Sequence, residues 1–299
     1  MSLPASSLSM SWLFIPGNSE KMLSKFRDTG ADTVILDLED SVPPEEKSRA
    51  RESVVRTVRD SAEGGGDAEA AGPAPRIFVR VNPVGSAWQE EDIFTVVCPG
   101  VSGIMVPKAE SRDSLVTVAA GLSRAEQESG MEPESVEIAA LVETPAGVLS
   151  CSELASSPRV TALALGGEDY CLALGMGRTR GGEEISFARG MLVTSAAACG
   201  VQPVDTVWTD IPDADGLADE CHRVRALGFS GKLAVHPAQV PVIQKCFSPS
   251  KQELDEARRI VEAFEDSGRG VVDLEGQMID APVVERARGI IQRARFDEP

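Results

Sequence analysis

The chain has 299 residues, 25% of them charged, and a formal net charge of −18 at pH 7. This acidic balance disfavours binding to nucleic acid or to an anionic membrane, and no Lys/Arg-rich patch interleaved with aromatic residues offsets it. No apolar run approaches the roughly 18 residues that cross a bilayer, and the start of the chain lacks the basic and apolar regions of a signal peptide. Six scattered cysteines without a C-x-x-C pair indicate buried, reduced thiols in a cytoplasmic protein, and disfavour a structural zinc site.

Eight short apolar runs recur along the chain and are predicted to be strands. They are near-continuous rather than alternating, which is typical of a parallel sheet covered on both faces. In chain order they are WLFIPG (12–17), TVILDLED (33–40), RIFVRVN (76–82), GIMVPKA (103–109), EIAALVET (137–144), VTALALGGED (160–169), DTVWTDI (205–211) and KLAVHP (232–237). Helical patterns lie between them, at 19–30, 44–60, 111–129, 183–199, 213–227 and 237–246. The first of these helices is expected to be capped by Ser19 and to end at Gly30.

Eight strand–helix units in about 240 residues predict a (β/α)8 barrel, the TIM barrel of the α/β class. A doubly wound open sheet is the alternative, although no G-x-G-x-x-G follows the first strand. We expect the barrel to span 1–247 and to include an acidic, flexible loop at 61–75, whose low-complexity composition predicts disorder. Residues 248–299 are too few for an independent domain, so two helices there are predicted to form an appended arm or lid.

Polar or charged residues follow almost every predicted strand at its carboxyl end. They are Asp37, Glu39, Asp40, Arg80, Asn82, Lys108, Glu143, Glu168, Asp169, Asp210 and His236. A single acid after a strand is commonly a helix cap or an ion-pair partner. Here the feature is shared by seven of the eight runs, and in a barrel these ends converge on one face. We therefore predict an active site at the carboxyl-terminal face.

Glu143 and Asp169, at neighbouring strand ends, are predicted to hold a divalent cation. Mg²⁺ takes hard oxygen ligands from one or two carboxylates and completes its octahedron with substrate and water. Such a metal would chelate an α-oxo or α-hydroxy acid and act as a Lewis acid. Arg80 offers a planar fork for a carboxylate or an enolate oxygen. The glycine pair before Glu168 would let backbone N–H groups approach an anion, so Gly167 and Glu168 are predicted to bind substrate with Arg80.

The other charged strand ends are interpreted as partners of the cations. Lys108 would face many acids that hold it protonated, which favours an ion-pairing role over a Schiff base. Asp37, Glu39 and Asp40 are predicted to surround Arg80 and Lys108, not to bind the metal directly. No G-x-S-x-G motif or Cys/His pair in a recognisable context is present, which disfavours a serine or cysteine nucleophile.

Ten motifs, found in order from residue 12 to residue 287, carry a family resemblance. They are LFIPGN, DTVILDLEDSVPPEEKSRAR, FVRVNP, GIMVPKAES, ALVETPAGV, LALGGEDYCLALGM, ISFARGMLVTSAAACG, AVHPAQ, FSPSKQEL and GQMIDAPVVERA. Together they resemble the citrate lyase β-subunit-like branch of the HpcH/HpaI aldolase family, which includes malyl-CoA and citramalyl-CoA lyases. The resemblance covers nearly the whole chain.

The resemblance implies a barrel of the phosphoenolpyruvate/pyruvate type, assembled as a homotrimer or hexamer. It also implies Mg²⁺-dependent cleavage or formation of a 3-hydroxyacyl-CoA thioester, with CoA thioesters and α-oxo acids as small-molecule partners. Glu143 in VETPAG and Asp169 in GGED match the family's metal ligands, and Arg80 in VRVN matches its substrate-binding arginine. Asp280 in GQMIDAP matches an acid that a neighbouring subunit's arm places over the site as general acid/base.

Other functions stay open from the sequence. One is the β subunit of a citrate lyase complex acting on an acyl-carrier-protein thioester, although the arm with Asp280 favours a stand-alone CoA lyase. A malyl-CoA thioesterase is another. A free pyruvate-type class II aldolase ranks lower, because that branch relies on histidine near the metal and this chain has none before His222. Relatives often carry arginine just before the first strand, where this chain has Met10 and Ser11, so the substrate stays undetermined.

Overall fold

Eight parallel strands form a closed barrel in the computed structural model, which describes residues 8–64, 74–267 and 270–294. The strands are β1 (Ser11–Pro16), β2 (Thr33–Asp37), β3 (Arg76–Arg80), β4 (Gly103–Val106), β5 (Glu137–Val142), β6 (Val160–Leu165), β7 (Gln202–Asp205) and β8 (Gly231–Ala234). Each strand pairs with the next one along the chain, and β8 pairs with β1 to close the ring. The predicted (β/α)8 barrel is confirmed, and the open-sheet alternative is wrong.

The α-helices of the described ranges follow the strands. They are α1 (Glu20–Leu23), α2 (Lys47–Ala62), α3 (Gln89–Val96), α4 (Arg112–Glu128), α5 (Pro145–Leu149), α6 (Cys151–Ala155), α7 (Gly167–Ala173), α8 (Ser186–Cys199), α9 (Ala214–Leu227), α10 (Val240–Phe247), α11 (Lys251–Ser267) and α12 (Ala281–Ala294). Four of them, α3, α5, α6 and α7, lie where we predicted no helix, because segments of one or two turns show too little periodicity. The predicted loop 61–75 begins inside α2, and its residues 65–73 lie outside the described residues.

The first predicted helix, 19–30, is split in two. It contains α1 and a 3₁₀ turn at Phe26–Thr29, which ends at Gly30 in the left-handed conformation, with φ 66°. Ser19 is the N-cap residue of α1, but its side chain makes no capping hydrogen bond. The glycine stop is therefore confirmed, whereas the serine contributes no side-chain cap.

Both faces of the strands are buried, which explains their continuous apolar runs. The side chains inside the barrel form one apolar cluster, comprising Trp12, Ile35, Phe78, Met105, Ala139, Leu141, Ala162, Ala164, Val204 and Leu233. Their chain neighbours, such as Leu13 and Val34, pack in the layer between barrel and helices. A side chain at Gly103 would collide with the Phe78 ring, so this glycine leaves the space that the ring fills.

The seventh strand differs from its predicted position. We expected a strand at 205–211, but β7 spans Gln202–Asp205 and ends where the prediction began. Gln202 and Pro203 conceal the strand because neither is typical of one. The buried Gln202 amide is satisfied by donating to the Ser9 carbonyl oxygen at 2.7 Å. The polar residue that ends this strand is therefore Asp205, and Asp210 lies in an exposed segment beyond it.

The chain after the barrel forms an arm of α11, a hairpin and α12. The hairpin strands are β9 (Val271–Leu274) and β10 (Gln277–Asp280), which pair in antiparallel fashion. Both turn residues, Glu275 and Gly276, have positive φ, as tight two-residue hairpin turns require. The arm has its own apolar cluster, comprising Ala257, Ile260, Ile279, Val284 and Ala287. Arg225 of α9 donates to Glu253 of α11 at 2.9 Å, which links the arm to the barrel helices.

The expectations from bulk composition are partly met. All six cysteines are free, and five of them are buried, but Cys199 is exposed. Within the described ranges, no helix is both long and apolar enough to cross a membrane.

Candidate active site

The carboxyl ends of β2 and β3 bring the first acid and the first arginine together. The parallel register pairs Asp37 directly with Arg80. Arg80 donates from Nε to Asp37 Oδ1 at 2.6 Å and from Nη2 to Oδ2 at 2.7 Å. Burial acts to raise the pKa of Asp37, but the bonds and charge of Arg80 outweigh it and the pKa lies below its ordinary value. This bidentate pair fixes the orientation of the guanidinium.

The acid-rich turn after β2 is folded around Asp37. This carboxylate also accepts hydrogen bonds from the backbone N–H of Glu39 at 2.9 Å and of Ser41 at 3.1 Å. Beneath the turn, the buried Nζ of Lys47 donates to the carbonyl oxygens of Leu38 and Glu39 at 2.7 and 2.8 Å. The turn is therefore held by hydrogen bonds to its backbone groups. The Glu39 side chain takes no part in these bonds and is oriented by other contacts.

Glu39 lies between the two cations of the site. Its Oε1 accepts from Lys108 Nζ at 2.8 Å, and its Oε2 lies 3.1 Å from Arg80 Nη1. That Oε2 is buried and accepts no hydrogen bond of good geometry from the described residues. Burial raises the pKa of Glu39 despite the attraction of both cations. Asp40 is exposed and lies 3.5 Å from Arg80 Nη1, so it is a looser partner.

Glu143, directly after β5, is a buried carboxylate held by a backbone N–H. Its Oε1 accepts the backbone N–H of Lys108 at 2.7 Å. Lys108 is in the left-handed region, with φ 50°, which is strained for a residue with a side chain. The pKa of Glu143 is raised to about 8, first by burial and then by the negative charges of Glu39 and Asp169.

The glycine pair after β6 brings Asp169 towards Glu143. A side chain at Gly166 would collide with Glu143 Cβ and lie 2.7 Å from its Oε2, so only glycine allows the two chain segments to approach this closely. The next residue, Gly167, begins α7, and Glu168 and Asp169 lie in the first turn of that helix. Glu168 is exposed, 3.3 Å from Arg178 Nε.

The two glycine N–H groups are not free for an anion, in contrast to what we expected. Gly166 donates to the Val142 carbonyl oxygen at 2.9 Å, and Gly167 donates to Thr206 Oγ1 at 2.9 Å. The roles of Gly167 and Glu168 in substrate binding stay predictions.

The residues at this face fit a hard divalent cation. Five carboxylates converge here with three cations, Arg80, Lys108 and Lys47, and burial together with the negative charges of Glu39 and Asp169 raises the pKa of Glu143. These carboxylates are Asp37, Glu39, Asp40, Glu143 and Asp169. No group of three or more potential ligand side chains is found in the described part of the chain. Mg²⁺ needs only one or two protein carboxylates when water and substrate complete its shell, so Glu143 and Asp169 suit it.

Two other candidate residues lie apart from this cluster within the chain. Asp280 ends β10 in the arm, where its Oδ1 accepts the N–H of Val283 at 3.2 Å and so caps α12. His236 is exposed, and its Nδ1 accepts the N–H of Ala238 at 3.2 Å. That bond makes His236 the cap of the short helical turn that follows β8.

Several residues that shape the site carried no usable signal in the sequence. Phe14 lies beneath Arg80, with the guanidinium carbon 4.8 Å from the ring centroid. Lys47 looks like an ordinary helix residue, yet it holds the acidic turn. Thr206 was hidden inside the wrongly placed seventh strand. Only a correct β7 boundary would have put Thr206 at a strand end.

Comparison with known proteins identifies the family and several relatives of this chain. The family model described as HpcH/HpaI aldolase/citrate lyase matches residues 10–237. The citrate lyase subunit beta of Escherichia coli K12 is 35% identical over 96% of this chain and 93% of its own length. The mitochondrial citramalyl-CoA lyase of Homo sapiens is 33% identical over 94% of this chain and 84% of its own. Protein CitE of Mycobacterium tuberculosis, solved with magnesium, acetoacetate and coenzyme A, is 32% identical with a TM-score of 0.77, covering 97% of this chain and 99% of that one.

Proposed function

Because this chain belongs to the HpcH/HpaI aldolase/citrate lyase family, we propose that it is a Mg²⁺-dependent carbon–carbon lyase acting on a 3-hydroxyacyl-CoA thioester. Malyl-, citramalyl- and citryl-CoA are the candidate substrates. The observation that carries the proposal is the approach of two carboxylates, Glu143 and Asp169, beside an arginine that Asp37 holds in a fixed orientation.

The proposed reaction cleaves the bond between the hydroxyl-bearing carbon and the carbon next to the thioester. The hydroxyl group loses its proton to a base and becomes the carbonyl of an α-oxo acid. The electron pair of the broken C–C bond passes into the thioester as an enolate. A proton delivered to the enolate carbon then gives the acyl-CoA product. The reverse sequence of steps is the condensation.

Glu143 and Asp169 are the residues that would hold Mg²⁺. When bound, the metal supplies Lewis acidity, which stabilises negative charge on oxygen. Its positive charge would also offset the burial and the repulsion by Glu39 and Asp169 that raise the pKa of Glu143. The backbone N–H of Lys108, bonded to Glu143 Oε1 at 2.7 Å, keeps that carboxylate in place.

Arg80 would orient the substrate and stabilise the developing charge. Asp37 engages two of its five N–H groups, which fixes the plane of the fork and leaves donors on Nη1 and Nη2. Fixed donors of this kind act without reorganisation when charge develops, which is usually the largest catalytic effect. Glu39 and Lys108 balance one another at the edge of the site through their 2.8 Å bond.

Asp280 would complete the site from a neighbouring subunit of a homotrimer or hexamer. Within the chain, Asp280 lies on a hairpin whose outer face exposes Val271 and Met278. The helices after β5 and β6 expose Leu149 and Leu172, which are 71% and 76% accessible. Apolar surface of this kind on both sides supports contact between copies. In that arrangement Asp280 would serve as the general acid/base that delivers a proton to the enolate.

Free, scattered cysteines support a cytoplasmic location.

A second candidate is the β subunit of a citrate lyase complex, using an acyl-carrier-protein thioester in place of CoA. It is favoured by the 35% identity to the subunit from Escherichia coli. The arm that carries Asp280 spans α11 to α12 in this chain, so copies of this chain alone would supply every residue assigned to the site, which favours the CoA lyase.

The test is to incubate the purified protein and Mg²⁺ with malyl-, methylmalyl-, citramalyl- and citryl-CoA, with and without EDTA. The expected result is release of an acyl-CoA and an α-oxo acid from at least one ester, abolished by EDTA. No cleavage of any of these CoA esters would favour the complex subunit. Release of free CoA and an intact hydroxy acid would show thioester hydrolysis and contradict the lyase.

A further inference from the structure

A buried threonine at the end of β7 holds the turn that carries Asp169. Thr206 is 1% exposed, and its Oγ1 accepts the N–H of Gly167, the first residue of α7, at 2.9 Å. We propose that Thr206 is a positioning residue that sets the separation of the two carboxylates, Glu143 and Asp169, assigned above to the metal. The inference rests on that proposed metal site.

The glycine turn is held on two sides. On the β5 side, Gly166 donates to the Val142 carbonyl oxygen and its Cα lies against Glu143, where a side chain would collide. On the β7 side, Gly167 lies so close that a Cβ on it would be 2.9 Å from Thr206 Oγ1. Asp169 lies two residues further on, in the first turn of α7. Its position relative to Glu143 therefore depends on the Thr206 hydroxyl.

The threonine is itself anchored from below. Its carbonyl oxygen accepts from Lys232 Nζ at 2.7 Å. The same ammonium donates to Asp205 and Glu220, each at 2.7 Å. Arg189 completes the cluster by donating to both of these carboxylates, at 2.7–2.9 Å. All four charged side chains are buried, so the backbone of Thr206 is held by a rigid cluster.

The charges of this cluster cancel, which assigns it a supporting role. Two cations, Lys232 and Arg189, bond to two carboxylates, Asp205 and Glu220. A third cation, Arg178, lies 3.8 Å from Glu220 and is itself offset by Glu168 and Glu184. Burial acts to raise the pKa of Asp205, but Lys232 and Arg189 outweigh it and the pKa lies below its ordinary value. A balanced, fully bonded cluster has no unmet demand for a ligand, unlike the carboxylates around Glu143. The cluster therefore holds β7 and β8 in place. The hydrogen bond between Thr206 and Gly167 extends this restraint to the glycine turn that precedes Asp169.

The test compares Thr206→Val, which keeps the shape but removes the acceptor, with Thr206→Ser, which keeps the hydroxyl. Mg²⁺ dissociation constants are measured by titration calorimetry on the full chain, and melting temperatures are recorded in EDTA. Supporting partners of metal ligands typically contribute 10- to 100-fold in affinity. We expect Thr206→Val to weaken Mg²⁺ binding about tenfold or more and Thr206→Ser to stay within about twofold, as a retained bond implies.

Ser102→Ala is the matched control. Ser102 Oγ accepts the N–H of Ile77 at 3.2 Å, just before β4 and at the opposite end of the barrel. This variant should lower the melting temperature without changing the Mg²⁺ dissociation constant. If Thr206→Val does not fold, Thr206→Ala, which also lacks the acceptor but relieves packing, takes its place.

Two outcomes would overturn the inference, and they are distinguishable. Wild-type affinity in the variants lacking the hydroxyl, even with a lower melting temperature, would reduce Thr206 to a structural residue while the metal site stands. Failure of the wild-type protein to bind Mg²⁺ would remove the proposed metal site together with the inference.

Discussion

The backbone N–H of Lys108 donates to Glu143 Oε1 at 2.7 Å from a residue whose φ is 50°. The side chain of the same lysine extends to Glu39, 2.8 Å from Nζ to Oε1. One residue therefore links two buried carboxylates, one through its backbone and one through its ammonium. The left-handed backbone is what allows both contacts, and this conformation is unfavourable for residues with a side chain.

This relationship predicts different effects of two substitutions that both remove the ammonium. Lys108→Gly should keep the left-handed backbone and the bond to Glu143. Lys108→Val should strain the left-handed backbone by about 1–2 kcal/mol, because β-branched residues resist this conformation. We expect roughly tenfold weaker Mg²⁺ binding in Lys108→Val than in Lys108→Gly, measured by calorimetry. Equal affinities in the two variants would show that the backbone of Lys108 does not position Glu143.

Arg80→Lys should lower kcat/KM for the accepted CoA ester by about 100-fold, because lysine cannot reproduce the bidentate fork held by Asp37. Steady-state kinetics with saturating Mg²⁺ measure this loss. Asp40→Asn is the control, since Asp40 is 58% exposed and lies 3.5 Å from Arg80. It should stay within about twofold of the wild type, as is typical of an exposed ion pair. Full activity in Arg80→Lys would remove the arginine from the mechanism.

Asp280 in a neighbouring subunit predicts complementation between two inactive variants. Glu143→Gln and Asp280→Asn should each abolish cleavage when alone. Co-expressed with different tags and purified as mixed oligomers, they should regain activity, because some sites then combine an intact Glu143 with a partner's intact arm. The measurement is α-oxo acid release by the doubly purified mixture. No recovery in a mixture proven by mass to be oligomeric would mean that Asp280 acts within its own chain or not at all.

A buried ion pair away from the site predicts acid sensitivity of the fold. Glu126 accepts from Arg159 at 2.7 Å and from two backbone N–H groups. Burial acts to raise the pKa of Glu126, but these bonds outweigh it and the pKa falls below its ordinary value. Because the folded pKa is depressed, the stabilisation is complete above the unfolded pKa of 4.5 and is lost as pH falls through the folded pKa.

Glu126→Gln should therefore be about 3 kcal/mol less stable than the wild type at pH 7, since it breaks a buried pair. The deficit should shrink as the pH falls below about 4.5, where the unfolded carboxyl becomes protonated. Urea unfolding at pH 7, 5 and 4 measures the difference. A deficit that does not change with pH would assign the effect to shape and not to charge.

Seven of the eight strands were accessible from the sequence because both faces of each strand are buried, so the apolar runs are continuous. The exception is β7, where Gln202 and Pro203 interrupt the pattern and a side-chain bond to Ser9 replaces apolar burial. The motif glycines also carried information. Gly166 must lack a side chain because Glu143 lies against it.

Except at β7, the sequence by itself determined where the strands lie and which charges follow them, and it also determined the family, since these follow from local pattern and motif. The tertiary structure alone decided which charges are satisfied. Asp37 is paired with Arg80, whereas Glu143 is held by a backbone N–H and faces Glu39 and Asp169. In the sequence all are acids after strands. The difference arises because hydrogen bonds and desolvation depend on neighbours from other strands, which only the closed barrel brings together.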